Sequence, residues 1–214
     1  MNRSLPPVVA LEGPVRAGKT TLLRKARDRY SSRIVTIREY GNYSGGSSEW
    51  PAFPPHTVEE TIGAARFFME LEERRKADLE MEIRGNPPCE LVLTDRSWHT
   101  CLAFDLAAQP LAALPALEVI REEWESRRKI VPDLIIYLDI CDSQLQERLA
   151  PFRASYRPVL YDSAFNERFR GYFLHDLALH SYEGRLIRID ANRTMAEVQD
   201  DVFKVIEELL GTAS

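Results

Sequence analysis

The stretch Gly13-Pro14-Val15-Arg16-Ala17-Gly18-Lys19-Thr20 constrains this chain more than any other, because it fixes a strand, a turn and a helix at once. It follows the apolar run Val8-Val9-Ala10-Leu11 and precedes Leu22-Leu23-Arg24-Lys25-Ala26-Arg27, which reads as a helix. The spacing G-x-x-x-x-G-K-[ST] between a strand and a helix is that of a phosphate-binding loop. The two glycines let the backbone turn so that successive N–H groups point inward, and the helix presents its positive end to the same place. Lys19 supplies a point charge near the β- and γ-phosphates, and the Thr20 hydroxyl a ligand for Mg²⁺. The expected phosphate-binding set is Gly13, Arg16, Ala17, Gly18, Lys19, Thr20 and Thr21.

Further strands are expected at Ile34 to Arg38, Leu91 to Leu93, Leu134 to Asp139 and Leu186 to Asp190, all short and rich in β-branched or aliphatic residues. Between them lie helical patterns. Thr57 with Glu60 caps one that ends at Gly85, a second runs from Ser97 to Ala108, and a third starts at Pro115 and reaches Lys129. Ser143 with Gln146 caps a fourth, a fifth covers Asp162 to His180, and Thr194 caps the last, which Gly211 ends. Strands alternating with helices imply a three-layer α/β/α fold, with a five-stranded parallel sheet and right-handed crossovers. Ligands of such sheets bind beyond the carboxyl ends of the strands, where Gly13, Glu39, Asp95 and Asp139 fall.

With 214 residues the chain suits one domain over 1–214, with a lid segment at about 150–161. The formal net charge of −5 leaves no global basic field, which argues against a nucleic-acid partner. Cys89, Cys101 and Cys141 are isolated and read as thiols in a reducing compartment. No leader-like apolar segment or membrane-length run is visible, so a cytoplasmic protein with no membrane association is expected.

Phosphoryl transfer is mostly positioning and charge neutralisation, and candidates for each part are present. Asp95 ends a buried strand, where its carboxylate can hold Mg²⁺ beside Thr20; Arg96 follows it and can grip a phosphate. Glu39 ends another strand and can orient or deprotonate an acceptor hydroxyl. Arg148, Arg153 and Arg157 gather around Pro151, and the last two suit a lid that closes over phosphates. The loop Gly41 to Pro55 carries Tyr43, Trp50 and Phe53, and should cover something. His99 is more simply a packing residue; His56, His175 and His180 have no partners at metal-ligand spacing.

Taken in series, Leu11-Glu12-Gly13 through Thr20, Arg38-Glu39-Tyr40-Gly41, Asp95-Arg96-Ser97, Pro132-Asp133-Leu134 and Ile189-Asp190-Ala191 resemble the thymidylate kinase family, and their order also suits the deoxynucleoside kinases. The resemblance spans about Val8 to Leu210. It implies ATP with Mg²⁺, a nucleotide or nucleoside acceptor, a lid and a homodimer. It also implies that Lys19, Arg16, Glu39, Asp95, Arg153 and Arg157 are catalytic, and that Arg75 and Arg96 hold an acceptor's 5′-phosphate. Phe68, Phe104 and the segment from Ser97 would wall the base pocket, with Asp105 facing the base. Four positions depart from the commoner thymidylate kinase pattern, and one of them, Ser97 in place of a tyrosine, is a feature of deoxynucleoside kinases. Val15 stands where those enzymes carry the carboxylate for a 3′-hydroxyl, Tyr40 replaces a proline, and Asp105 replaces a glutamine. As a carboxylate, Asp105 accepts from an amino group such as cytosine's and repels a carbonyl.

The expected activity is transfer of the γ-phosphoryl of ATP to a nucleoside monophosphate. The alternatives are a deoxynucleoside kinase acting on a 5′-hydroxyl with Glu39 as base, a kinase of a specialised nucleoside-like metabolite, and a slowly hydrolysing switch protein.

Overall fold

The computed structural model describes residues 6–45, 49–86, 89–108, 110–180 and 182–211, with the side chains of 110–113 and of residue 180 outside that description. Five strands form its centre: β1 (Val8–Glu12), β2 (Ile34–Ile37), β3 (Leu91–Asp95), β4 (Leu134–Asp139) and β5 (Arg185–Asp190). They lie in the order β2-β3-β1-β4-β5, with every neighbouring pair parallel. From β1 the chain winds first to one side and later to the other. The crevice at the carboxyl ends of β1 and β3 is therefore the place such a sheet offers to a ligand.

Side chains of a strand alternate between faces, so each strand feeds two cores. On one face Val9, Leu11, Ile136 and Leu138 pack under α1 (Lys19–Tyr30) and α7 (Met195–Leu209), through Leu22, Ala26, Val202 and Ile206. On the other, Ala10, Ile135 and Tyr137 meet Met69 of α2 (Val58–Gly85), Leu102 of α3 (Trp98–Ala108), Trp124 of α4 (Pro110–Ser126) and Phe173. With both faces covered, the four strands β1 to β4 are apolar along almost their whole length, as a parallel sheet requires. β5 is an edge strand and is largely exposed.

The helix caps follow the sequence at two places. Thr57 accepts the Glu60 N–H, and Thr194 and Glu197 form a reciprocal capping box. Three expectations are corrected. α4 begins at Pro110 and contains Pro115 in its interior, because Ala116, Ile120 and Trp124 recur at four-residue spacing and are buried. That stripe outweighs the cost of about 3 kcal/mol for an internal proline. α5 (Asp142–Leu149) has Cys141 at its cap position, and the Gln146 amide reaches back to Asp142 instead of pairing with Ser143. The helix expected over Asp162 to His180 is α6 (Ser163–Gly171), capped by the Asp162 side chain, followed by a π turn at Tyr172–Asp176 and a 3₁₀ turn. Tyr172 and Phe173 are both buried there, the first against His99 and the second stacked on Tyr137. The wider turn lets two adjacent rings face the core.

Candidate active site

The phosphate loop closes as the spacing predicts. Gly13 sits at φ 135°, where a β-carbon would lie 2.7 Å from the Leu138 carbonyl oxygen, so only glycine fits. Gly18, at φ 105°, precedes α1 and leaves the first turn of that helix without a side-chain cap. Its N–H groups are thereby open to an anion. Lys19 is buried and folds back onto the loop, donating to the carbonyls of Gly13 at 3.0 Å and Pro14 at 2.8 Å. Burial, and then the nearby Arg96, push its ammonium down to about 7. The carboxylates of Asp95, Glu39 and Glu12 pull the other way.

Asp95, at the end of β3, accepts a hydrogen bond from the Thr20 hydroxyl at 2.5 Å on one carboxylate oxygen, while the other is buried without a partner. An orphaned carboxylate oxygen beside a hydroxyl is a hard-oxygen pair that fits Mg²⁺. Among the described residues no group of three His, Cys, Asp or Glu side chains is gathered for a metal. Thr20 and Asp95 would thus be the protein's share of a magnesium site, with phosphates and water completing it.

A cavity of about 730 Å³ opens beyond these strand ends. Arg16, Lys19, Thr20 and Thr21 line it on the side of the glycine loop, and Glu39, Arg96 and Tyr40 line it beyond them. Phe68 of α2 with Thr100, Cys101, Phe104 and Asp105 of α3 form the far wall. Trp50, Pro51 and Phe53 roof it, as the aromatics of that loop suggest. Trp50 packs edge-on against Phe68 at 5.4 Å between ring centres, and Phe53 is tilted against Phe104 at 5.8 Å. The result is an aromatic-lined end of the cavity.

Arg96 joins the two ends of the cavity. Its φ of 69° is left-handed, a strain held in place by its surroundings. Its side chain donates to the Gly13 carbonyl, and its Nε lies 3.6 Å from the Glu39 carboxylate. Asp105 is buried in the aromatic wall, and that burial raises its carboxyl to about 8. Burial therefore favours the protonated acid, which carries an O–H donor.

Several candidate residues stand away from the cavity. Arg75 is wholly buried and does not reach it. Its guanidinium donates to Glu72 at 2.6 Å and to the backbone carbonyls of Arg38, Asp95 and Arg96 at 3.0 to 3.1 Å, and its carbon lies 4.3 Å from the centre of the Tyr40 ring. Burial works against its charge, yet Glu72 and Tyr40 hold its pKa above the ordinary arginine value. Ser97 donates both its N–H and its hydroxyl to Glu12, which also receives the Thr100 hydroxyl, so Ser97 braces the start of α3 instead of lining the cavity. Asp139 is engaged by Arg170 and Arg188. Arg153 is exposed beside the Tyr161 ring and is not part of the cavity lining, whereas Arg148 and Arg157 are. Arg157 donates twice to the Pro51 carbonyl, tying the segment after α5 to the roof loop.

Glu12 and Glu72 are what the sequence reading missed. Both are fully buried, and burial raises the Glu12 carboxyl above its ordinary range. A signal existed for each: Glu12 is an acid next to Gly13 in an apolar strand, and Glu72 adjoins the spacing Leu71, Arg75, Leu79, which puts Arg75 on an inward helix face.

No family model matches the chain. Thymidylate kinases of Bacillus thuringiensis (strain Al Hakam) and Bacillus anthracis (strain A0248) are each 28% identical to it over 209 residues, 94% of this chain and 97% of theirs. Among solved structures, deoxyadenosine kinase from M. mycoides with bound dATP superposes with a TM-score of 0.59 at 12% identity, over 94% of this chain and 99% of that one. The same enzyme with products dCMP and a flexible dCDP bound superposes with a TM-score of 0.65 at 11% identity and the same coverage. The fold is thus that of the P-loop deoxynucleoside kinases, and the sequence relatives are P-loop kinases too. No helix among the described residues is long and apolar enough to cross a membrane.

Proposed function

We propose that this protein is a P-loop kinase that transfers the γ-phosphoryl group of ATP to the 5′-hydroxyl of a deoxynucleoside. The observation that carries this choice over a monophosphate acceptor is Arg75. In the thymidylate kinase-like reading Arg75 anchors the acceptor's phosphate, but here its donors face Glu72 and three backbone carbonyls, out of reach of the cavity. What the cavity offers at that point is the partly exposed Glu39 carboxylate beside Arg96.

In this reading the base lies at the aromatic end of the cavity against Phe68 and Phe104, with Asp105 at its edge. Glu39 takes the proton of the 5′-hydroxyl as the oxygen attacks the γ-phosphorus, and Arg96 holds Glu39 in place. Lys19 and Arg16 stabilise charge on the moving phosphoryl group, and closure of the lid by Arg157 on Pro51 excludes water. Mg²⁺ held by Thr20 and Asp95 would neutralise phosphate charge.

A second reading, a monophosphate acceptor, is favoured by the match to thymidylate kinases along nearly the full chain. Coupled ADP release from Mg·ATP separates the two, with each deoxynucleoside and its 5′-monophosphate offered in turn. Turnover with a deoxynucleoside supports the proposal; turnover with monophosphates alone overturns it and returns the phosphate contact to Arg96 or Arg157.

A further inference from the structure

We propose that Phe152 is a positioning residue for Arg16: its ring face holds the guanidinium at the mouth of the phosphate loop with the donor edge turned toward an incoming phosphate. The inference rests on the reading of Arg16 as a nucleotide contact.

Arg16 is an exposed residue of the phosphate loop with a left-handed φ of 66°, which fixes the direction in which its side chain leaves the backbone. Its guanidinium carbon lies 3.3 Å from the centre of the Phe152 ring and 6.0 Å from that of Tyr156. The two rings meet edge to face at 6.3 Å, so they form one aromatic shelf on the segment that follows α5. The backbone beneath is held as well: Arg148 donates to the Ala191 carbonyl at 2.7 Å and approaches the Arg16 carbonyl at 3.5 Å. Phe152 is 36% exposed and belongs to the cavity lining, so its ring is not there to fill a core.

A guanidinium stacked flat on a ring is attracted to the π face while all its N–H groups stay in its own plane, pointing outward. That leaves two parallel donors for phosphate oxygens, the bidentate arrangement that arginine makes best. A long side chain held in this way is already ordered when the phosphate arrives. Among the described residues no carboxylate pairs with Arg16, so the shelf does not neutralise its charge. The segment after α5 and the phosphate loop are joined through this contact, as that segment and the roof are joined through Arg157 and Pro51.

The test is a double-mutant cycle with Phe152→Leu, Phe152→Trp and Arg16→Ala, read by the dissociation constant for Mg·ATP and by kcat. Phe152→Leu keeps an apolar side chain but removes the ring. It is expected to weaken ATP binding or lower kcat by about two- to fivefold, the factor equivalent to an exposed cation–π contact. The acceptor KM and the melting temperature should not move, Phe152→Trp should restore the loss, and in the Arg16→Ala background Phe152→Leu should be silent. An equal loss in both backgrounds, or a tryptophan no better than leucine, overturns the assignment. The two proposals fail separately: absence of phosphoryl transfer by the parent protein to any acceptor refutes the kinase reading, while the ATP-binding cycle still decides the role of Phe152.

Discussion

Replacing Asp105 by asparagine removes one ionisable group and almost no volume, and the structure fixes the sign of the effect on stability. The carboxyl is buried in the aromatic wall, and burial raises it to about 8. In the unfolded chain it returns to about 3.9. Between those values the folded state holds a proton that the unfolded state has lost, so the stability associated with Asp105 falls as pH rises through the window. Each pH unit is worth about 1.4 kcal/mol, so the parent protein should lose about 2.7 kcal/mol between pH 5 and pH 7 through this group. The asparagine of the variant cannot ionise, and histidine titrations are common to both proteins and cancel in the difference. Urea unfolding at several pH values from 5 to 7 should therefore show the Asp105→Asn variant gaining steadily on the parent. A constant difference across that range would refute the argument that the acid is uncharged in the fold. The same substitution tests how the residue meets the base. A neutral acid and an amide each present one donor side and one acceptor side, so the KM for the acceptor at pH 7 should stay within a few-fold; a large rise would mean that a carboxylate reads the base.

Other consequences are equally direct. Glu39→Gln should lower kcat by about 10²- to 10⁴-fold, the usual worth of a general base, while leaving the dissociation constant for Mg·ATP in place; an unchanged kcat would remove Glu39 from the chemistry. Lys19→Ala should reduce transfer by about 10²-fold or more with the circular dichroism of the fold intact, and near-normal kcat would refute the phosphate site. Because Lys19 is lowered to about 7, phosphate charge brought by ATP should raise it, and binding near pH 8 should take up protons. Calorimetry in two buffers of different ionisation enthalpy measures that uptake, and zero uptake would contradict it. Arg75→Met should cost about 3–5 kcal/mol in urea unfolding by leaving the Glu72 charge buried and unpaired, and the further change Glu72→Gln should recover part of the loss; if no stability is lost, the guanidinium is not the buried clamp described.

The parts of the fold legible in the sequence are those set by local pattern. The phosphate loop is a spacing rule, and β4 matches its expected bounds residue for residue because a strand covered on both faces reads as one apolar run. Glu39 and Arg96 were legible by position, since polar residues just past the carboxyl end of a buried strand fall at the crevice, while Asp95 lies buried beneath it, bonded to Thr20. The roof loop was legible because Trp50 and Phe53 stand among Gly and Ser residues that cannot form a core. What the sequence concealed depends on register and long-range packing. Arg74-Arg75-Lys76 looks like a solvated face until the helix phase turns Arg75 inward alone among the three. Between Arg148, Arg153 and Arg157, spacing could not tell which two reach the cavity, because the break at Pro151 resets the direction of the chain. The burial of Asp105, which raises its carboxyl, was equally concealed, since it follows from packing and not from residue type.

The buried charges explain how so open a site is kept in order. Glu39 and Arg96 lie just past the ends of strands and Asp95 is the last residue of β3, and Arg96 is held in a strained left-handed conformation. Arg75 fastens the carbonyls of Arg38, Asp95 and Arg96, which places one rigid planar group behind all three side chains. Glu12 does the same from the other side, fastening Ser97 and Thr100 at the start of α3 to the strand that carries the phosphate loop. Buried ion pairs contribute little net stability, because desolvation offsets most of their attraction. Their value here is geometric: Arg75 with Glu72, and Glu12 with the α3 hydroxyls, hold the phosphate-loop strand, the end of β3 and the start of α3 in place around one cavity. A shift of about 1 Å at such a site can cost about a hundredfold in rate. Two buried polar clamps outside the cavity lining can therefore matter to turnover as much as the residues that line it.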